Sequence, residues 1–227
     1  MVQTVRDPIG RCAICQKPLS KNPVPGVSTC SSKCEQALQA IAAKCPLPDG
    51  PYDLLYPDPP WPFRTYSNKG QGRSASRHYS TMSIDALKQL PIGDIAEPNS
   101  VMVMWVYDPL LPECIEVLQA WSFKFVTRPF TWVKVARDGS PRMGTGYYSR
   151  RGSETAIIGK RGKGLKRHSK SVREVIMAPR REHSRKPDEA RDRLEQLFGD
   201  VRRIELFARR TAPGWDAWGD EIAETLS

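Results

Sequence analysis

The chain has 227 residues, 39% of them hydrophobic, which is enough for one full domain core with a small appendage and excludes a wholly disordered chain. No run approaches the roughly 18 apolar residues of a membrane span, and the N-terminus lacks the apolar core of a signal peptide, so a soluble intracellular protein is expected. A formal net charge of +10 points to a polyanionic partner, nucleic acid ahead of an anionic membrane surface, and six cysteines in a reducing compartment suit a metal better than disulfides.

Cys12-Ala-Ile-Cys15 and Cys30-Ser-Ser-Lys-Cys34 are separated by Pro18, Asn22-Pro23 and Pro25-Gly26, which suit tight turns. Ser31 or Ser32 can cap a helix to about Ala43, so the second cysteine pair lies at a helix start, where thiolates are favoured. A module this short could hardly fold on its apolar residues alone. Cys12, Cys15, Cys30 and Cys34 are therefore expected to hold one structural zinc in an arrangement that resembles a treble-clef finger, with a redox pair or unliganded thiols as the alternative. Cys45 is expected to be a spare linker thiol and Cys114 a core residue. The stretch Cys45-Pro-Leu-Pro-Asp-Gly-Pro51 is too rich in proline for a helix or strand interior. It divides the chain into a zinc module (1–45), a linker (46–51) and a main domain (52–227).

Tyr52–Tyr56 reads as an apolar strand that runs into Pro57-Asp58-Pro59-Pro60-Trp61, where the prolines end ladder donation. A carboxylate and an aromatic ring are thereby fixed at a strand's carboxyl end, the edge at which open α/β sheets bind ligands; a plain proline-rich turn is the alternative. Residues 62–77 carry Arg64, Lys69, Arg73 and Arg77 without hydrophobic periodicity, as either a substrate-clamping loop or a solvated one. Ser83 caps a helix over Ile84–Leu90. Val101–Val106 is a buried strand, Leu111–Trp121 a helix and Phe130–Val135 a further strand, which argues for a parallel sheet with right-handed crossovers.

Met143–Tyr148 is glycine-rich and aromatic, and Glu154–Gly159 is short and strand-like. From Lys160 to Lys186 basic residues far outnumber Glu174 and Glu182, and strand signals at Val172–Met177 enclose the run. Lys163, Lys166 and Arg167 are expected to track phosphate, with a solvated basic surface as the alternative. Pro187, Asp188 and Glu189 start a helix whose apolar stripe of Ala190, Leu194 and Leu197 ends near Gly199. Arg203–Arg210 is the last predicted strand, and with the following Trp215 and Trp218 it suggests a nucleotide-sized pocket.

Six segments taken in order carry a resemblance: Asp58-Pro-Pro-Trp61, Tyr79-Ser-Thr-Met-Ser83, Trp132-Val-Lys134, Ser184-Arg-Lys-Pro-Asp-Glu189, Glu205-Leu-Phe-Ala-Arg209 and Trp218-Gly-Asp-Glu221. Over roughly Tyr52 to Ile222 the chain resembles the MT-A70 family of adenine-N6 methyltransferases, in its bacterial or phage form. The resemblance implies an α/β, Rossmann-like methyltransferase sheet with permuted motif order, in which the catalytic tetrapeptide precedes the main cofactor-binding strand. It implies S-adenosylmethionine as methyl donor, Asp58, Pro59, Pro60 and Trp61 as the catalytic segment, and Lys186, Arg209, Asp220 and Glu221 as the cofactor positions. The chain departs from the RNA-methylating relatives in having Thr211-Ala212 where they carry a His-Asn pair, and Asp220 where Asn is usual. The upstream acidic strand that binds cofactor adenine in longer members has no clear counterpart.

The chemistry fits those residues. An adenine amino group is a poor nucleophile because its lone pair is delocalised into the ring; Asp58 and the Pro59 carbonyl can accept its two N–H bonds and localise that pair, while Trp61 stacks on the base. Positioning of this kind contributes several kcal/mol, and basic-loop contacts to phosphate offset the cost of flipping a base from a duplex. The expected function is adenine-N6 methylation of nucleic acid, DNA ahead of RNA, in the cytoplasm of a bacterial or phage-infected cell. The alternatives are an RNA adenine methyltransferase and a non-catalytic zinc-finger nucleic-acid-binding protein with a vestigial methyltransferase fold.

Overall fold

A computed structural model describes residues 46–62, 81–181, 185–220 and 222. The chain divides into two compact units, Met1–Leu47 with Pro60–Leu90 and Pro48–Pro59 with Pro91–Ser227. In the described part of the first, the helix α1 (Ile84–Gln89) follows the expected cap: Ser83 Oγ accepts from the Ala86 amide at 3.1 Å, and Asp85 and Lys88 complement the dipole at opposite ends. Ala86 and Leu87 are buried, and the Met82 amide donates to the Pro60 carbonyl at 2.9 Å. The zinc-module residues Cys12, Cys15, Cys30 and Cys34 and the loop arginines Arg64, Arg73 and Arg77 lie outside the described residues. Among those described, no group of three or more His, Cys, Asp or Glu is arranged to hold a metal, and no helix is long and apolar enough to cross a membrane.

The second unit is built on a seven-stranded sheet of β1 (Tyr52–Pro57), β2 (Ala96–Val106), β3 (Lys124–Val135), β4 (Ser153–Arg161), β5 (Val175–Pro179), β6 (Arg203–Leu206) and β7 (Asp216–Trp218), in the spatial order β5-β3-β4-β2-β1-β6-β7. β1 runs parallel to β2 and β6, β6 to β7, and β3 to β5, as the strand–helix–strand pattern predicts. β4 does not: it is antiparallel to both neighbours, pairing its Ile157 with Met104 of β2 and its Thr155 with Thr131 of β3. The sheet is therefore mixed rather than parallel. A 17-residue connection, 136–152, turns the chain back from β3 so that β4 slots between β2 and β3.

Helices cover both faces. α2 (Leu111–Ala120) and α3 (Glu189–Phe198) carry β2 to β3 and β5 to β6. On one face Ala190, Leu194 and Phe198 of α3 pack with Leu54, Tyr56, Val103, Trp105, Trp132 and Ile176. On the other, α2 approaches so closely that a Cβ on Gly159 would lie 2.9 Å from Leu118 Cδ2. Double-sided burial is why Val101–Val106 is continuously apolar instead of alternating. Cys114 sits wholly buried on α2, as expected. β6 is shorter than the predicted Arg203–Arg210, because Phe207 takes φ 59° and leaves the extended region after Leu206. Its ring stacks on Trp121 at 6.4 Å and meets Trp218 edge-on at 5.3 Å, contacts that hold this unusual conformation in place.

Candidate active site

The register brings the carboxyl ends of β1, β2, β6 and β7 to one edge, with Pro57 opposite Leu206, Leu206 opposite Trp218, and Val106 opposite Thr155 near the start of β4. The reversed direction of β4 thus delivers Glu154 to the edge where the parallel strands end. Asp58 follows β1 directly, its amide donating to the Leu206 carbonyl at 3.2 Å, and Pro59 adds no donor to compete with its carbonyl.

Four charged side chains alternate in sign along this edge. Lys186 Nζ donates to Asp58 Oδ2 at 2.7 Å and lies 3.3 Å from Glu154 Oε2, while Lys134 Nζ donates to Glu154 Oε1 at 2.5 Å. Lys186 is 14% exposed and Glu154 21%, so these charges are held largely away from water. Burial disfavours the Lys186 ammonium, but the Asp58 and Glu154 carboxylates outweigh it and hold its pKa above the ordinary lysine range. Burial likewise opposes the Glu154 carboxylate, and Lys186 and Lys134 together pull its pKa below the usual value. The Lys186 ammonium also lies 5.5 Å from the centre of the Trp105 ring, whose indole N–H donates to the Tyr56 hydroxyl at 2.7 Å. Burial pushes the Tyr56 phenol well up, so it stays neutral and the ring under Lys186 is firmly seated.

The neighbouring strands supply the rest. Glu205 on β6 accepts from Arg191 Nη1 at 2.5 Å; burial pushes its carboxyl up against the pull of that guanidinium, and Asp58 adds to the rise. Arg209 and Asp220 are exposed beyond the ends of β6 and β7. The residue before Asp220 must be glycine: a Cβ on Gly219 would lie 2.2 Å from the Ala208 carbonyl oxygen, where the two strand ends close together.

Of the predicted site residues, Asp58 and Lys186 meet directly, with Pro59 attached to the first. Pro60 and Trp61 belong to the other unit, and Trp61 is buried. Glu221 lies outside the described residues. Lys163, Lys166 and Arg167 are not with Asp58: they follow the far end of β4, where Arg161 pairs with Ser100 in the first half of β2. At about 3.3 Å per residue, β4 separates that end from Glu154 by roughly 20–25 Å. Trp215 and Trp218 do not form one pocket, since Trp215 tilts against Tyr56 at 5.7 Å in the α3-side core and Trp218 packs on Phe207. Glu154, Tyr56 and Trp105 were not among the predicted site residues; Glu154 carries the signal of a lone acid opening an apolar strand, and only the sheet register gives it meaning.

A sulfonium donor that also bears an α-carboxylate and an α-amine fits this donor set: a buried ammonium and carboxylate side by side, with exposed Arg209 and Asp220 at the adjoining strand ends. Comparison with known proteins agrees. Residues 52–221 match the MT-A70 family. The chain is 30% identical to the type II methyltransferase M.MunI of a Mycoplasma species, over 78% of this chain and 81% of that one. It is 28% identical to the N6-methyladenosine RNA methyltransferase MTA1 of Cryphonectria parasitica, over 80% of this chain and 54% of that one. With the human N(6)-adenine-specific methyltransferase METTL4 the figures are 29%, 75% and 37%. The chain belongs to the MT-A70 family, and with it to the S-adenosylmethionine-dependent adenine methyltransferases.

Proposed function

We propose that the protein methylates the N6 amino group of adenine in nucleic acid, DNA ahead of RNA. The observation that carries this reading is Asp58 at the carboxyl end of β1, its carboxylate set by the 2.7 Å bond from Lys186 and followed by a proline carbonyl. S-adenosylmethionine, when bound, supplies an electrophilic sulfonium methyl; Lys186, Arg209, Asp220 and Glu221 are the residues that would hold it. Asp58 and the Pro59 carbonyl accept the two N–H bonds of the adenine amine, which localises the lone pair and orients it. Lys186 donates to Asp58 Oδ2 and so orients the carboxylate, while its ammonium also lies 3.3 Å from Glu154 Oε2. The resemblance gives Trp61 to the base as its stacking partner.

DNA is preferred because a compact catalytic domain of this kind resembles bacterial and phage members, and because the chain spans 81% of the type II methyltransferase but 54% of the fungal RNA enzyme. RNA is the second reading, favoured by that fungal relative, which is named as an N6-methyladenosine RNA methyltransferase. Tritium transfer from labelled donor to matched DNA and RNA oligonucleotides separates the two, and mass spectrometry of the nucleosides should find N6-methyladenine. Product carrying label elsewhere would refute the N6-adenine assignment, and no product with either polymer would favour a non-catalytic nucleic-acid-binding protein. Cytoplasmic location, the division at 46–51 and a zinc module over 1–45 are part of the same proposal, the zinc resting on the spacing of Cys12, Cys15, Cys30 and Cys34.

A further inference from the structure

Four guanidinium groups converge on one carboxylate beside Lys186. Asp188 Oδ2 accepts from Arg185 Nη2 at 2.6 Å and from Arg181, while its Oδ1 accepts from Arg191 and Arg210. The four come from different places: after β5, before α3, within the first turn of α3, and beyond β6. Burial works against the Asp188 carboxylate, yet Arg181, Arg191 and Arg210 push its pKa down to about 2. Arg191 is shared with Glu205, so among the described residues four positive charges face two carboxylates.

The surplus is also one of donors. A guanidinium presents five N–H bonds in a planar fork. Arg181, Arg185 and Arg210 each use one nitrogen on Asp188 and make no other hydrogen bond among the described residues. Arg185 Nε is buried with no hydrogen-bond partner among the described residues. The three side chains are 38%, 35% and 45% exposed, so the cluster is open to a ligand from solvent. An internal ion-pair network alone would need fewer arginines around one carboxylate; this arrangement wants a second anion.

We propose that Arg181, Arg185 and Arg210, held in place by Asp188, form a subsite for a backbone phosphodiester next to the target adenine. The proposal rests on the nucleic-acid reading above and extends it. Convergent arginine forks suit a phosphate, whose oxygens accept paired N–H bonds, better than lysines would. The location fits as well, because Arg185 immediately precedes Lys186, whose ammonium bonds Asp58. A phosphate gripped here is one residue of chain away from the group that fixes the amine acceptor.

The test is Arg181→Gln with Arg210→Gln in the full chain, assayed on a matched adenine oligonucleotide. KM for the oligonucleotide should rise about tenfold or more while kcat falls much less, and the log–log salt slope of binding should shrink by about one. Arg181→Lys with Arg210→Lys should restore the slope but not KM, since charge returns without the fork. Should the double variant be poorly folded, Arg181→Gln alone, at an exposed position, is read by the same slope. Unchanged KM and slope in a folded variant would overturn the subsite. So would loss of donor affinity without loss of oligonucleotide affinity, which would hand the cluster to the donor's carboxylate. No methyl transfer to either polymer by the unsubstituted protein overturns the function itself and the subsite with it; intact transfer with an unmoved slope in the variants overturns the subsite alone.

Discussion

Replacing Glu154 by Gln tests the electrostatics of the proposed site through a residue that nothing in the chain's motifs marks out. The substitution keeps volume and an acceptor but removes the one carboxylate shared by Lys134 and Lys186, at 2.5 and 3.3 Å. Breaking a buried pair from one side costs roughly 3–5 kcal/mol when the stranded charge has no escape. Here Lys186 retains Asp58, and Lys134, 24% exposed, can turn to water, so about 2–3 kcal/mol is expected. At roughly 2–4 °C per kcal/mol for a chain of this size, the melting temperature should fall by about 5–10 °C near pH 7. The pH dependence gives the sign. A carboxylate whose folded pKa is lowered contributes stability that is complete above its unfolded pKa and is lost as pH falls through the folded one. The gap between the unsubstituted protein and Glu154→Gln should therefore be widest at neutral pH and close in acid below about pH 4. Thermal melts of both proteins from pH 3 to 8 measure it; a gap that is constant with pH, or a variant that melts higher at pH 7, would refute the reasoning.

Three further outcomes are expected. Asp58→Ala should lower single-turnover methyl transfer by orders of magnitude while calorimetric donor affinity falls far less, and near-normal transfer would sink the catalytic assignment. The purified protein should contain about one equivalent of zinc that Cys30→Ser abolishes, with earlier proteolysis before residue 46; a metal-free protein resistant to protease over that stretch would contradict it. Neutralising Lys163, Lys166 and Arg167 together should reduce the salt slope of nucleic-acid binding by up to roughly three, as the sequence suggests, and an unchanged slope would leave them as solvated surface on the edge far from Asp58.

Much of the fold was legible because burial writes itself into residue patterns. The continuous apolar run of β2 and the Ala190–Leu194 stripe of α3 reported their elements directly, and the prolines after Tyr56 located the end of β1. Strand direction leaves no such mark. Ala156, Ile157 and Ile158 look the same whichever way β4 runs, so the mixed sheet was not readable, nor was the delivery of Glu154 to the site. Partners far apart in sequence were equally hidden: Asp58 and Lys186 are 128 positions apart, and Arg210 reaches Asp188 from 22 positions away. The end of β6 was missed for a different reason, since a phenylalanine at positive φ is held by the tertiary contacts of Phe207 with Trp121 and Trp218 and has no local signature.

The reversal at β4 also decides where this architecture can vary. The connection that makes it leaves and rejoins the sheet at the edge bearing Asp58 and Glu154, is pinned by the Val135–Pro141 and Gly144–Arg151 bridges, and exposes Met143, Tyr147 and Tyr148. Because β3 and β4 already hold each other through a long antiparallel ladder, the excursion carries none of the sheet's registration. Its base is fixed by those bridges and by the 2.7 Å Arg151–Asp108 ion pair, which leaves the exposed tip as the part that can change composition while β3 and β4 keep their register.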